Sequence, residues 1–126
     1  ARAGRSYPLK SWIEAGLHPA ASSDAPVCAT DPFKNIYTMI TRKTRRGTVV
    51  GADQVVSVAQ ALHAYTALGA YTQFAENEKG RIVPGMLADI AVFSRNIFEA
   101  TPEEIETKTQ CDLTILGGEV VFDRHP

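Results

Sequence analysis

Ser22-Ser23-Asp24-Ala25-Pro26-Val27 is the stretch from which the fold is inferred, because it sets one acid between two predicted elements. The short apolar run Leu17–Ala21 before it predicts a buried strand. After it, Asp31-Pro32 predicts the start of a helix, with the aspartate as N-cap and the proline at the first helical position. A carboxylate between the C-terminal end of a strand and a helix is typical of the catalytic groups of (β/α)8 barrels.

The sequence does not show the metal ligands that such a catalytic acid needs as partners. The three histidines form neither a His-x-His pair nor an i, i+4 pair; they are His18, His63 and His125. The two cysteines belong to no CxxC pattern, and we expect Cys28 to be a small buried residue. Asp24 alone cannot hold a catalytic zinc ion, which needs about three protein ligands. From the residues alone, a catalytic acid and a carboxylate that closes a turn are equally supported.

Length and composition predict one domain or part of a larger one. The chain has 126 residues, of which 44% are hydrophobic and 21% charged, and its net charge is -1. These values are typical of globular proteins. The one basic cluster, Arg42-Lys43 with Arg45-Arg46, ends a short predicted helix, and interaction with the helix dipole is favoured over substrate or phosphate binding. Without a broad basic face, we expect no nucleic-acid partner.

The sequence predicts a cytoplasmic protein that does not bind or cross a membrane. No apolar run is long enough to span a bilayer, and no signal-peptide pattern occurs. Two cysteines in a chain of this length make no disulfide framework, which favours a reducing compartment. The first residues, Ala1-Arg2-Ala3-Gly4-Arg5, contain no initiator Met, as expected either after processing or for a chain that starts within a larger fold.

The first half of the chain predicts three helices besides the strand. Apolar residues from Tyr7 to Ile13 form one helical face, and Gly16 is expected to end that helix. Apolar residues between Phe33 and Ile40 follow the i, i+3, i+4, i+7 pattern. Ser57-x-x-Gln60 is a capping box that opens the third helix, and we expect that helix to end or bend at Leu68-Gly69.

The second half predicts a strand, a short helix and a hairpin. Asp89–Phe93 is the strand, and Thr101-Pro102-Glu103-Glu104 combines a capping box with an early proline. Residues 113–122 predict a hairpin around Gly117-Gly118. Three strands cannot form a sheet covered on both faces, so we expect them to join further strands. For Asp89, a turn or strand-start hydrogen bond is favoured over catalysis.

Four motifs in order resemble the C-terminal part of amidohydrolase family 3, the YtcJ-like branch that includes N-substituted formamide deformylase. The third motif matches the superfamily pattern G-x-(I/L)-x-x-G-x-x-A-D. The motifs are Ala15–Val27 with Asp31-Pro32-Phe33 and Thr41-Arg42, the helical block Ser57–Thr66, the block Gly80–Phe93, and the closing hairpin Thr114–Phe122. Together they extend over nearly the whole chain.

The resemblance implies an α/β fold in two parts. Residues 1–79 would form the end of a TIM (β/α)8 barrel, with its last strand and following helices. Residues 80–126 would supply C-terminal strands of the small composite β-sandwich domain. The implied activity of the full-length protein is metal-dependent hydrolysis of carbon–nitrogen bonds other than peptide bonds, in a small amide-type substrate.

The resemblance also implies roles for individual residues. Asp24 would be the catalytic proton shuttle and a metal contact, taking a proton from metal-bound water and passing it to the leaving nitrogen. The cofactor would be a divalent metal, with zinc expected, whose other ligands lie outside this chain. We therefore expect this chain alone to hold no metal and to be inactive. Arg42, in a recurring Thr-Arg pair, would either bind a substrate carboxylate or tie its helix to the barrel, and the second role is favoured.

Two departures and one alternative remain open. Ser22 stands where the branch usually has glycine, and His18-Pro19 stands where an apolar pair is usual, so the substrate is not defined. The alternative is a non-catalytic interaction or oligomerisation module derived from the same fold. Exposed strand edges and an uncovered apolar face would favour self-association or pairing with the N-terminal portion of the protein.

Overall fold

The protein is described from a computed structural model, which defines residues 3–125. Within this range the fold is mixed α/β, with two 3-10 turns at Ala3–Arg5 and Ala52–Gln54. The regular elements, in chain order, are α1 (Leu9–Glu14), α2 (Pro32–Thr41), α3 (Val58–Tyr65), α4 (Ala67–Tyr71), β1 (Ile90–Phe93), α5 (Pro102–Lys108), β2 (Cys111–Leu116) and β3 (Glu119–Asp123). No helix in the described range is long and apolar enough to cross a membrane.

Three helices begin at the caps that the sequence predicts. The Asp31 carboxylate accepts a hydrogen bond from the Phe33 N–H at 2.9 Å and opens α2. In α3, the Gln60 N–H donates to the Ser57 hydroxyl at 3.1 Å, and the Gln60 side chain accepts from the Ser57 N–H at 2.9 Å. The same reciprocal pair forms within Thr101–Glu104 at the start of α5. Both predicted capping boxes are confirmed.

The end of α1 also follows the prediction. Gly16 has a φ of +76°, a left-handed conformation that glycine adopts without a steric penalty. Its N–H donates to the Ile13 carbonyl at 3.0 Å, and the Leu17 N–H donates to the Trp12 carbonyl at 2.9 Å. This pair of bonds satisfies the last carbonyls of the helix and ends it sharply.

The predicted bend at Leu68-Gly69 is wrong in position, because the break falls at Thr66. Thr66 has φ and ψ of -110° and -88° and separates α3 from α4, while Gly69 lies inside α4. The Thr66 hydroxyl donates to the Leu62 carbonyl at 2.8 Å. The same carbonyl accepts from the Thr66 N–H at 2.9 Å, so α3 keeps its last backbone bond up to the break.

The predicted strand Leu17–Ala21 is not a strand. Residues 17–30, which we name the Asp24 segment, form an irregular connection between α1 and α2. A strand needs a neighbouring strand, and in the described structure the Ala21 N–H instead donates to the Ala64 carbonyl of α3 at 3.0 Å. Most of the segment is exposed, including Leu17 and, against expectation, Cys28.

The predicted strand and hairpin form one antiparallel sheet with the order β1-β2-β3. Ile90 faces Ile115, and Leu116 faces Glu119 across the predicted glycine turn. Asp89 has the structural role that was favoured, because its carboxylate accepts from the Gly117 N–H at 2.8 Å. It thereby fixes the hairpin turn to the start of β1.

The core lies between α2, α3 and α5 rather than on the sheet. Its buried residues come from both sides of the predicted boundary at residue 79, so the division into two domains stays a prediction. They are Phe33, Ile36, Val56, Ala61, Ile97 and Ile105. Phe93 of β1 contacts this core through an edge-to-face pair with Phe33, with ring centroids 5.0 Å apart. Every residue of β3 is exposed.

Candidate functional site

Asp24 lies in the middle of the exposed Asp24 segment, in a left-handed backbone conformation with a φ of +55°. Its N–H donates to the Ser22 hydroxyl at 3.1 Å, and its carbonyl accepts from the Val27 N–H at 2.9 Å. Both bonds are made by backbone groups of Asp24, and its side chain takes part in neither. Within residues 3–125, the Asp24 carboxylate makes no hydrogen bond to a protein group.

The conformation of Asp24 is informative because it is unusual for a residue with a side chain. Left-handed φ values are rare outside glycine, although aspartate adopts them more readily than most residues. Such positions persist only where local bonds hold them, and they are frequent at functional sites. The Ser22 hydroxyl supplies one such bond here. The local arrangement thus combines a fixed backbone with an accessible base.

The other candidate side chains do not join Asp24 in a cluster. His18 is exposed, and its ring contacts Tyr71 edge-on at a centroid distance of 5.1 Å. His63 is exposed on α3. Across residues 3–125, no group of three or more His, Cys, Asp or Glu residues could hold a metal ion. These residues therefore do not fit a metal site by themselves.

Arg42 directs all three guanidinium nitrogens at backbone carbonyls. It is the C-cap of α2, with a φ of +57°. Its Nε donates to the Val50 carbonyl at 3.0 Å, its Nη1 to Tyr7 at 3.1 Å and its Nη2 to Ser6 at 2.7 Å. These bonds tie the end of α2 to the chain before α1. Arg42 thus has a structural role within this chain, while the predicted tie to the barrel and the predicted substrate contact both stay predictions.

Gln54 is a buried polar residue that sequence reasoning missed. Only 8% of it is exposed, and its Oε1 accepts from the Ser11 N–H in α1 at 3.0 Å. Its Nε2 donates to the Ser11 hydroxyl and to the Asp53 carboxylate, both at 2.9 Å. The bond from Gln54 lowers the pKa of Asp53 below its ordinary value. One signal in the sequence indicates that α1 needs an acceptor from elsewhere in the chain. Its N-cap residue, Pro8, has no side-chain acceptor for the first helical N–H groups.

A separate open cleft of about 960 Å³ lies between α3–α4 and β1. Its lining is mainly apolar and includes Leu62, Tyr65, Ala70, Ile82, Ile90 and Phe98. Neither Asp24 nor Arg42 is part of that lining. This cleft is therefore not the surface that carries the candidate acid.

Comparison with known proteins identifies the family. The sequence profile of the amidohydrolase family matches residues 1–122. The chain belongs to the amidohydrolase family. Among curated amidohydrolase relatives, it is 26% identical over 122 residues to the putative amidohydrolase YtcJ of Bacillus subtilis (strain 168). It is also 26% identical over 118 residues to the N-substituted formamide deformylase of Arthrobacter pascens. Each match includes 94% of this chain and confirms the resemblance predicted from the four motifs.

The fold of this amidohydrolase chain also occurs in a solved structure. A crystal structure of an amidohydrolase from Thermotoga maritima MSB8 superposes with a TM-score of 0.65 at 20% sequence identity. The match covers 89% of this chain but 24% of that protein. The chain likewise spans 23% of YtcJ and 22% of the deformylase. Its α/β fold is thus shared with part of that protein.

Proposed function

We propose that this chain is the C-terminal portion of a metal-dependent hydrolase that cleaves carbon–nitrogen bonds other than peptide bonds in small amides. In this proposal, residues 1–79 complete a TIM (β/α)8 barrel and residues 80–126 complete a composite β-sandwich. Membership of the amidohydrolase family supports the hydrolase. The observation that carries the proposal is Asp24, an exposed carboxylate in a constrained left-handed turn.

Asp24 is proposed to move one proton in two directions. As water attacks the amide carbon and the new C–O bond forms, the carboxylate accepts the proton that the water loses. As the C–N bond breaks, the same group returns that proton to the leaving nitrogen, which departs as a neutral amine. General acid–base catalysis of this kind contributes about 10²–10⁴-fold to a rate. A free, ionised carboxylate is the state that this role requires.

The metal of the proposed enzyme is a divalent cation, with zinc expected from the family resemblance. Its ligands would come from other parts of the polypeptide, since residues 3–125 offer no cluster that could hold it. We therefore propose that this chain alone is inactive. The proposed compartment is the cytoplasm, which is supported by the two free thiols of Cys28 and Cys111.

The partner of this chain is proposed to be the remainder of the same polypeptide. The last two strands expose apolar side chains to between 48% and 59%: Leu116, Val120, Val121 and Phe122. In the described range, β1 and β3 each pair with β2 alone and leave their outer edges open. Such surfaces favour association. The same observation supports the second candidate, a non-catalytic interaction module.

Activity distinguishes the two candidates. The complete polypeptide encoded by the reading frame that contains this chain is assayed with zinc against a panel of N-substituted formamides and simple amides, next to the 126-residue chain alone. Amine release by the complete polypeptide and none by the chain alone is the expected result. Turnover by the isolated chain would contradict its proposed dependence on the remainder. A well-folded complete polypeptide without any turnover would favour the interaction module.

A further inference from the structure

We propose that Arg42 and Gln54 together clamp α1 and thereby position Asp24. We call these two side chains the α1 clamp. The consequence for catalysis rests on the proposed function, whereas the clamp itself concerns this chain alone. Both are positioning residues, because neither is argued to touch the substrate.

α1 needs external support because of its own sequence. It has six residues, none of them buried, and isolated helices of this length are not stable in water. Its N-cap position holds Pro8, whose side chain accepts no hydrogen bond. The Ser11 N–H is one of the first helical donors that lack a partner inside the helix. Gln54, 43 positions away, supplies the missing acceptor at 3.0 Å.

The Gln54 amide is oriented on both sides. Its Nε2 donates to the Ser11 hydroxyl and to the Asp53 carboxylate, so its Oε1 is directed at the Ser11 N–H. The side chain is almost fully buried. Because the Gln54 amide is buried and hydrogen-bonded to Ser11 and Asp53, it cannot exchange these bonds for water unless Gln54 separates from α1. Gln54 therefore caps α1 from a distant part of the chain.

Arg42 fixes the residues just before α1. Its Nη1 and Nη2 hold the Tyr7 and Ser6 carbonyls, while its Nε holds Val50, four residues before Gln54. The backbone at Gly51 lies close to the backbone at Gly4, since a Cβ at Gly51 would be 2.9 Å from the Gly4 carbonyl oxygen. The segment from Val50 to Gln54 thus contacts the chain on both sides of the start of α1.

The clamp acts on Asp24 through the chain that follows α1. Gly16 ends the helix, and Asp24 follows it in the same irregular connection. Between them, the described structure has one backbone bond to another helix, from the Ala21 N–H to Ala64, and the ring contact of His18 with Tyr71. Because the Asp24 segment begins directly after α1, its start moves with that helix.

Hydrogen exchange followed by mass spectrometry tests the clamp without any activity assay. Gln54→Met keeps the size of the side chain and removes its hydrogen bonds. Peptides from α1, and the hydrogen-bonded amides of Leu17 and Ala21 within residues 17–24, are expected to exchange about tenfold faster, with β2 and β3 unchanged. Trp12, the single tryptophan of the chain, lies on α1 and should show a red-shifted emission. The matched control is Gln73→Met, since Gln73 is exposed and bonds only to Gly69 in its own turn.

Two results would overturn the clamp. Faster exchange in α1 with unchanged exchange in residues 17–24 would mean that α1 does not position Asp24. Uniformly faster exchange in every element of folded Gln54→Met protein would mean that Gln54 stabilises the whole fold and not α1 in particular. If this variant does not fold, Ser11→Ala decides instead, because it removes only the hydroxyl that Gln54 contacts. It should accelerate the same peptides by a smaller factor, and no acceleration there would reject the proposal.

The catalytic consequence is measured with Arg42→Lys in the complete polypeptide. Lysine keeps the charge but cannot hold three carbonyls in the same geometry. The expected result is a kcat about tenfold lower with an unchanged KM, since a misplaced base slows the chemical step without weakening binding. Arg81→Lys, at an exposed loop residue, is the control and should change neither value. A raised KM with an unchanged kcat would instead make Arg42 a substrate ligand. No activity in any form, with the exchange result intact, would remove the proposed function and leave the clamp.

Discussion

Residues 80–123 and the Asp24 segment were predicted from the same kind of signal, with opposite results. In the first region, the strand, the capped helix and the hairpin lie where the sequence predicts them. In the second, an apolar run that predicts a buried strand is irregular and largely exposed. The difference teaches that a short apolar run defines no strand unless the fold supplies a neighbour for it.

The successful predictions share one physical property, since their deciding bonds form between residues close in sequence. The box at Thr101–Glu104 joins residues three positions apart, and two glycines form the turn of the hairpin. The Asp24 segment has a local bond from the Leu17 N–H to Trp12 at its start and two more around Asp24, which involve Ser22 and Val27. Its distant contacts are the bond from the Ala21 N–H to Ala64 of α3 and the ring contact of His18 with Tyr71 of α4.

The largest stability effect is expected at the core that joins the two halves of the chain. Ile105 of α5 is fully buried against a cluster that includes Phe33 and Ile36 of α2. Ile105→Ala should lower the free energy of unfolding by about 3 kcal/mol, because it removes buried methyl groups and leaves a cavity. Urea denaturation followed by circular dichroism measures this value. Ile82→Ala, at a residue 82% exposed, should change little, and equal effects would contradict the described core.

A smaller effect is expected where α1 passes into the Asp24 segment. Gly16→Ala forces a side chain into a left-handed position and should cost about 1 kcal/mol. Exchange should rise in residues 17–24 and not in the hairpin. Gly69→Ala is the opposite control, because Gly69 lies inside α4 with open space around it and alanine favours helices. A stabilised Gly16→Ala protein would show that the helix end does not depend on the glycine.

The third prediction concerns Asp89, the acid of residues 80–123 that has a structural role. Asp89→Ala removes the acceptor for the Gly117 N–H and should cost about 1 kcal/mol. Asp89→Asn keeps an acceptor oxygen and should be close to neutral. Thermal unfolding of the two variants measures the difference. Equal losses in both would mean that the charge, rather than the hydrogen bond, stabilises the hairpin.

The sequence predicts the features that depend on bonds between nearby residues, and it does not predict those that depend on residues far apart in the chain. Helix caps, the end of α1, the hairpin and the role of Asp89 follow from local chemistry. Asp24 is a candidate because of its place between two predicted elements and because of the family motifs, but neither predicts its left-handed turn. Gln54 and Ser11 are 43 positions apart, and no spacing rule links them. The break between α3 and α4 falls at Thr66 rather than at Leu68-Gly69, and propensity alone does not decide that position.

The most direct test of the central claim compares two carboxylates in the complete polypeptide. Asp24→Asn should lower kcat by about 10²–10⁴-fold for amide hydrolysis while the protein stays folded, because an amide side chain cannot accept and return the proton. Asp89→Asn, an equally conservative change at a structural acid, should leave kcat unchanged. Full activity in folded Asp24→Asn protein, or equal losses in both variants, would contradict the role proposed for Asp24.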